Sequence, residues 1–415
     1  MKRFARRWWL GNRLSRVSFQ NRADWDNMAS SKPSSEKTLL ITGAAGTVGR
    51  RVARRTAEAG YKVRCMVRAT SNREPLRDLD VEICEADLLD LDSLRRATEG
   101  IEIVVHTAAQ LGDWCSEEES RAVNVDGLKN LITAANESGR LERFVHISSL
   151  GVYEARDHFQ TDETIPPDTD GIDAYTRTKA AAEEVLHAAR RENGFPFVIL
   201  RPGFIYGPGD RHVVPRVVES VASGQMRLIG DGKNVLNNTY VGNLVDAILL
   251  AIEKDQAIGE VFNICDGRLV NRVEFIGTIA DYLGKPRPGH VPLWLANVAV
   301  RFFETTGRWL GKKSAPVLTR TRLKFMTLNL DFSKEKAERI LGYEPRVDFQ
   351  EGMREALDWL AQQGQLAGLF QSGPGASRPS ESRPSESRPS ESRPSASSLS
   401  ASSLSGGGAS GPSHS

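Results

Sequence analysis

A β-rich apolar run, Thr38 to Thr42, passes straight into Gly43-Ala44-Ala45-Gly46-Thr47-Val48-Gly49 and then into a helical pattern that Gly60 stops. No other feature restricts the fold as tightly. Gly43 permits a tight turn, Gly46 lets the backbone approach a pyrophosphate, and Gly49 allows close packing of helix on strand. Thr47 and Val48 open the helix, whose first amides and positive dipole end suit phosphate. The alternative is a purely structural turn. Downstream, the runs 62–67, 81–85, 102–106, 144–148 and 197–201 have strand character, and helical patterns at 47–59, 91–98, 117–137 and 174–193 alternate with them. Parallel strands need crossovers that cover both faces of a sheet, so this succession predicts an α/β fold, a doubly wound parallel (Rossmann) sheet. After Pro202 the regularity is lost. The Rossmann core is therefore expected over about 37–205 and a smaller C-terminal substrate-binding lobe mostly over 206–362, within one folded unit of 36–365.

The 415 residues, 40% hydrophobic and 26% charged, can bury a substantial core. A formal net charge of +2 leaves no global basic excess, which argues against nucleic acid as a partner. Cys65, Cys84, Cys115 and Cys265 show no metal-ligand or redox spacing, so no metal is expected and a reducing cytoplasm is the natural compartment. No apolar run reaches the roughly 18 residues of a membrane-spanning helix. Both ends stand apart. Residues 1–35 are basic, with Trp8-Trp9-Leu10 as their only apolar cluster. They are expected to be disordered, an extension upstream of a start at Met28 followed by a polar linker, the alternative being a basic targeting or surface-binding arm. The segment 371–415 is rich in Ser, Pro and Gly and repeats Ser-Arg-Pro-Ser-Glu from Ser377 to Ser395. Such a segment cannot recover its ordering entropy by burial, and it is expected to be a disordered tail.

About twenty residues beyond the glycines, an acidic side chain would accept from the ribose 2′-hydroxyl of NAD(H), whereas an arginine accommodates the 2′-phosphate of NADP(H). Arg68 stands there and tips the choice toward NADP(H); a solvated loop arginine is the alternative. Asp87-Leu88, at the end of the third strand, could place a carboxylate on the adenine amino group or simply form a strand-end turn. The helix 174–193 opens with Tyr175-Thr176-Arg177-Thr178-Lys179, which sets a phenol and an ammonium on one face, one turn apart. A tyrosine pKa near 10 is too high for proton exchange at neutral pH, and a neighbouring lysine cation favours the phenolate. Lys179 could also hold the nicotinamide ribose. Ser148-Ser149 closes the fifth strand, where a hydroxyl can stabilise charge on a substrate oxygen.

A glycine turn at strand one, a serine ending strand five and Tyr-x-x-x-Lys opening the next helix come in the order this chemistry needs. Together with Asp87-Leu88, His106-Thr107-Ala108-Ala109, Asn124-Val125-Asp126-Gly127 and Arg201-Pro202-Gly203 through Tyr206-Gly207-Pro208-Gly209, they make the chain resemble the extended short-chain dehydrogenase/reductase family over about residues 37–362. The resemblance implies that Tyr175 is the general acid/base, that Lys179 lowers its pKa and binds ribose, and that Ser149 orients the substrate oxygen. Ser148 is the rival for that last role, although the spacing to Val152-Tyr153 favours Ser149. His106, Ala108, Ala109 and Pro202 would contact the cofactor. Helices 117–137 and 174–193 pair in many relatives, which implies a homodimer.

The stretch Gly230 to Val241 separates branches of that family. Nucleotide-sugar enzymes typically carry an arginine for the diphosphate at the position of Leu236, and an aliphatic side chain cannot make that charge-assisted fork. With Pro208-Gly209-Asp210 and Phe262-Asn263-Ile264, the stretch looks more like the 3β-hydroxysteroid dehydrogenase branch, which includes reductases of long-chain 2-alkyl-3-keto acids. Asn243 departs from that pattern, where an Asp is frequent, and isomerase chemistry has no signature. The apolar segment 291–303 is either a lid or membrane-surface helix over a lipid-like substrate, or a packed amphipathic helix. The expected function is NAD(P)-dependent interconversion of a secondary alcohol and a ketone on a hydrophobic steroid-like or long-chain 3-keto/3-hydroxy acid substrate. A nucleotide-sugar epimerase or dehydratase and a non-catalytic dinucleotide-sensing protein are the alternatives.

Overall fold

The alternating apolar runs assemble into one parallel sheet. The structure, a computed structural model, describes residues 37–110, 116–211, 213–298 and 320–369. The N-terminal extension, the repeat tail, Cys115 and residues 299–303 of the apolar segment lie outside these. The sheet strands are β1 (Thr38–Thr42), β2 (Lys62–Val67), β3 (Glu82–Glu85), β4 (Ile103–His106), β5 (Arg143–Ile147), β6 (Phe197–Pro202) and β7 (Val261–Ile264). Their order is β7-β6-β5-β4-β1-β2-β3, and every neighbouring pair is parallel. The chain builds outward from β1 to β3 and then returns to the other side of β1. That reversal opens a crevice at the carboxyl ends of β1 and β4, where open α/β sheets bind ligands.

Both faces of the sheet are covered, because successive strand residues point to opposite sides. Leu39, Ile41, Val105 and Val198 pack against helices α1 (Thr47–Glu58), α7 (Val241–Glu253) and α9 (Glu335–Leu341). Leu40, Val104, Phe144 and Ile199 face α2 (Leu91–Thr98), α4 (Gly127–Glu137) and α5 (Ala174–Asn193). A short helix, α3 (Glu117–Arg121), and a π-helical turn, Ala122–Asp126, precede α4, so the pattern 117–137 forms one interrupted element. A third apolar cluster joins α6 (Val214–Ala222), α8 (Arg272–Tyr282) and α10 (Phe349–Gln362).

The sheet takes more of the chain than the strand pattern up to residue 205 suggests. Its seventh strand is Val261-Phe262-Asn263-Ile264, and α7 and α9 cover the face behind it. Four residues with a polar Asn263 at their centre carry too little periodicity to announce a strand. Asn243 also acquires a reason. Its amide nitrogen donates to Asp266 at 2.8 Å while its oxygen accepts the amides of Arg346 and Val347 at 3.0 and 3.1 Å, and an ionised carboxylate could not do both.

Candidate active site

The glycine turn meets the steric limits its spacing implies. Gly43 has φ +68°, and a β-carbon there would lie 2.8 Å from the Ala108 nitrogen; one on Gly49 would come within 2.4 Å of the Gly43 carbonyl. Thr107 and Ala108 pass directly over the turn, with the Thr107 hydroxyl donating to the Thr42 carbonyl at 2.7 Å. Gly46 is the N-cap of α1 and exposed, so no side chain competes for the first helical amides. The Thr47 hydroxyl and the Arg51 guanidinium donate to the carbonyls of Gly209 and Pro208 at 2.7 and 3.0 Å, drawing that loop alongside the helix start. A turn with no room for β-carbons and uncapped amides fits a pyrophosphate.

Local chemistry also fixes where Tyr175 stands. Asp173 caps α5 and accepts the Thr176 amide at 2.8 Å, so Tyr175 falls in the first turn and Lys179 one turn later on the same face. The Tyr175 phenol and the Ser149 hydroxyl face the same cavity, and the Ser149 hydroxyl accepts the Gly151 amide at 3.0 Å. Lys179 is buried, and its ammonium donates to the Ile147 carbonyl at 2.8 Å. Ser149 and Tyr175 line one cavity of about 350 Å³.

The ionisation of these groups differs from what the spacing suggests. Burial pushes the Tyr175 phenol up to about 12, partly offset by the neighbouring Ser149 hydroxyl. Burial also draws the Lys179 ammonium down to about 8, against the attraction of Glu183. In the protein alone the Lys179 ammonium is directed at a strand carbonyl, and desolvation of the phenolate is the largest influence on Tyr175. At neutral pH Tyr175 is a proton donor and Lys179 a cation.

Residues 39–265 match the NAD dependent epimerase/dehydratase family. The chain belongs to this family. It is 32% identical over 338 residues to a 3-beta-hydroxysteroid dehydrogenase of Mycolicibacterium neoaurum, covering 77% of this chain and 90% of that one. It is 30% identical over 325 residues to a 2-alkyl-3-oxoalkanoate reductase of Stenotrophomonas maltophilia (strain K279a), covering 76% of this chain and 97% of the relative. A solved structure, the dTDP-glucose 4,6-dehydratase DesIV of Streptomyces venezuelae with NAD and TYD bound, superposes with a TM-score of 0.64 at 25% identity, covering 80% of this chain and 99% of that one. This member of the epimerase/dehydratase family is an NAD(P)-dependent oxidoreductase of the extended short-chain type.

Within this family frame, the two serines take separate roles. Ser148 is buried and donates to Glu183 at 2.5 Å, which leaves Ser149 as the hydroxyl facing the cavity. Ser149→Ala is expected to lower kcat/KM by roughly a hundredfold. Ser148→Ala should lower it by less than about tenfold and mainly reduce thermal stability, because a buried carboxylate loses a donor. Equal kinetic losses in steady-state assays would contradict this division.

Other expected contacts are placed unevenly. Arg68 is exposed just past β2, and its backbone is held in a turn by Ser71. Asp87 accepts the Leu89 amide at 3.0 Å, so one carboxylate oxygen closes the strand-end turn, and buried Leu88 packs against α4 beside Gly127. The His106 side chain does not reach the cofactor crevice. Its ring is buried, bonded to the Thr42 hydroxyl at 2.7 Å and stacked on His146, and burial pushes it down to about 3. Ala108 and Ala109 are partly exposed above the glycine turn, and Pro202 is buried at the end of β6.

Two features of the site carry no role legible in the sequence. Asn124, in the π-helical turn, accepts the Gln110 amide at 2.7 Å and donates to the Thr178 hydroxyl at 3.0 Å, tying the loop after β4 to the helix of Lys179. The interruption of helical bonding that turns Asn124 inward leaves no mark on the apolar pattern. The cavity wall is drawn from Phe204, Ile205, Val213, Leu330 and Phe332, residues far apart in the chain.

Proposed function

We propose that the protein interconverts a secondary alcohol and a ketone on a hydrophobic substrate, steroid-like or a long-chain 3-keto/3-hydroxy acid. The observation that carries this reading is the cavity beside Tyr175 and Ser149, walled by Leu150, Phe204, Ile205, Val213, Leu330 and Phe332. Apolar walls reward an apolar ligand by roughly 25 cal/mol per Å² removed from water, whereas a sugar diphosphate asks for charge-assisted partners. Leu236 supports the same choice, since it packs against the apolar cluster of the lobe. The relatives named for a 3-beta-hydroxysteroid and a 2-alkyl-3-oxoalkanoate point the same way.

The dinucleotide, when bound, donates or accepts hydride. The turn at Gly43, Gly46 and Gly49 would hold its pyrophosphate, and Lys179 its ribose. In the reducing direction Tyr175 gives its phenolic proton to the carbonyl oxygen as charge develops there, while Ser149 donates a hydrogen bond to the same oxygen. The reverse reaction returns that proton to Tyr175. Purified protein should oxidise a 3β-hydroxysteroid or reduce a 2-alkyl-3-keto acid with NAD(P)(H). Turnover of UDP-glucose with neither of those substrates used would overturn the reading in favour of a nucleotide-sugar enzyme.

Preference for NADP(H) belongs to the same proposal, supported by exposed Arg68 at the end of β2. Arg68→Ala is expected to weaken NADPH binding by about tenfold, or 1.4 kcal/mol, and NADH binding by less than about twofold. Equal losses in fluorescence titrations would refute it. Pairing of two copies through α3, α4 and α5 is also proposed, and a monomeric mass by light scattering would contradict it. No helix among the described residues is long and apolar enough to cross a membrane. Peripheral contact with a lipid surface through 291–303 is supported by exposed Leu293, Trp294, Leu295 and Val298.

A further inference from the structure

Tyr175, Lys179 and Glu183 follow one another at one-turn intervals on α5, yet proton and hydride transfer leave Glu183 without a part. Glu183 has no solvent exposure at all. Its carboxylate accepts the Ser148 hydroxyl at 2.5 Å and a fork from Arg201, Nε at 2.9 Å and Nη2 at 2.5 Å. Arg201, equally buried, also donates to the Tyr153 hydroxyl at 2.7 Å, and that hydroxyl donates to Asn263 on β7 at 2.9 Å. Tyr153 is itself part of the cavity wall. Buried carboxylates are as a rule paired and hydrogen-bonded, and this one is.

The surroundings of Lys179 make that charge consequential. His106 comes from β4 and His146 from β5, both kept neutral by burial and by the ammonium itself. Tyr175 and Glu183 share its helix, and Arg201 of β6 stands behind Glu183. Among these groups Glu183 is the anion, and it opposes the loss of the Lys179 proton that burial favours.

We propose that Glu183 is a positioning residue, whose buried carboxylate, one turn from Lys179 on α5, pins the strand end that presents Ser149 and keeps the neighbouring ammonium charged. The Arg201 fork holds the carboxylate, and Ser148 connects it to β5. A purely structural ion pair would stabilise the fold without governing the charge on Lys179.

The test reads Lys179 directly and needs no substrate. In protein labelled with 13Cε-lysine, the Lys179 resonance is the one lost in Lys179→Arg, and its midpoint is followed against pH. Glu183→Gln is expected to lower that midpoint by about one pH unit, a tenfold change in the proton equilibrium, and Glu183→Asp to restore most of it. A folded Glu183→Gln protein with the wild-type midpoint would overturn the proposal. Should that variant not fold, Glu183→Gln combined with Arg201→Met leaves no orphaned buried charge; because the opposing Arg201 cation is removed as well, the midpoint is expected to fall by only about threefold in the proton equilibrium, and an unchanged or raised midpoint would overturn the proposal. Because the readout is independent of turnover, a failure of the hydrophobic-substrate reading does not touch it.

Discussion

Tyr175→Phe is expected to lower kcat/KM by roughly a thousandfold, about 4 kcal/mol of transition-state stabilisation, while leaving NADPH affinity within about twofold of wild type. The substitution keeps the aromatic ring in the cavity wall and removes only the phenolic oxygen. The phenol, pushed up to about 12, is the protonated group that stands beside Ser149 in the cavity, and its loss removes the proton for the developing alkoxide. Ser149 can hydrogen-bond that oxygen but is a far weaker proton source. Steady-state kinetics and cofactor titration on the same preparation check both halves. Unchanged turnover would remove Tyr175 from the chemistry and revive a non-catalytic, dinucleotide-sensing role.

Gly43→Val should abolish measurable dinucleotide binding, raising Kd at least about a hundredfold, or 2.7 kcal/mol. Two effects add. The positive φ of Gly43 is disfavoured for any β-carbon by roughly 1–2 kcal/mol, and the added atoms would collide with the backbone of Ala108, which cannot swing aside as a side chain could. Gly100 provides the control. It has φ +73° but nothing within 4 Å of a β-carbon, so Gly100→Ala should bear the backbone strain alone and bind NADPH normally. Fluorescence titration and thermal unfolding of both variants separate strain from steric exclusion. Normal cofactor binding by Gly43→Val would show that the turn does not cradle the phosphates.

Much of the architecture was legible because it rests on short-range geometry. The strands at 38–42 and 62–67 and the helices at 91–98 and 174–193 occur at the expected bounds, each set by a local apolar period and by stops such as the left-handed Gly194. The seventh strand and the interruption at Ala122–Asp126 were not legible, since one is too short to show a period and the other leaves the apolar period intact. In the site, the same division holds. His106 lies beside the cofactor crevice in sequence terms, but the alternation of β4 turns its ring inward beneath the sheet's end, against Thr42 and His146.

The chain alone determined the parallel sheet, the glycine turn and the placement of Tyr175 and Lys179 on one helical face, because each depends on neighbours a few residues apart and on backbone periods that any such sequence obeys. Only the tertiary structure decided which serine is free, where the Lys179 ammonium points and what kind of wall faces Tyr175. Ser148 is captured by a glutamate 35 positions later, and the apolar wall brings Leu150 together with Phe204 and Phe332. Such contacts depend on how distant segments pack, and no local period encodes which of two adjacent hydroxyls will find a buried carboxylate.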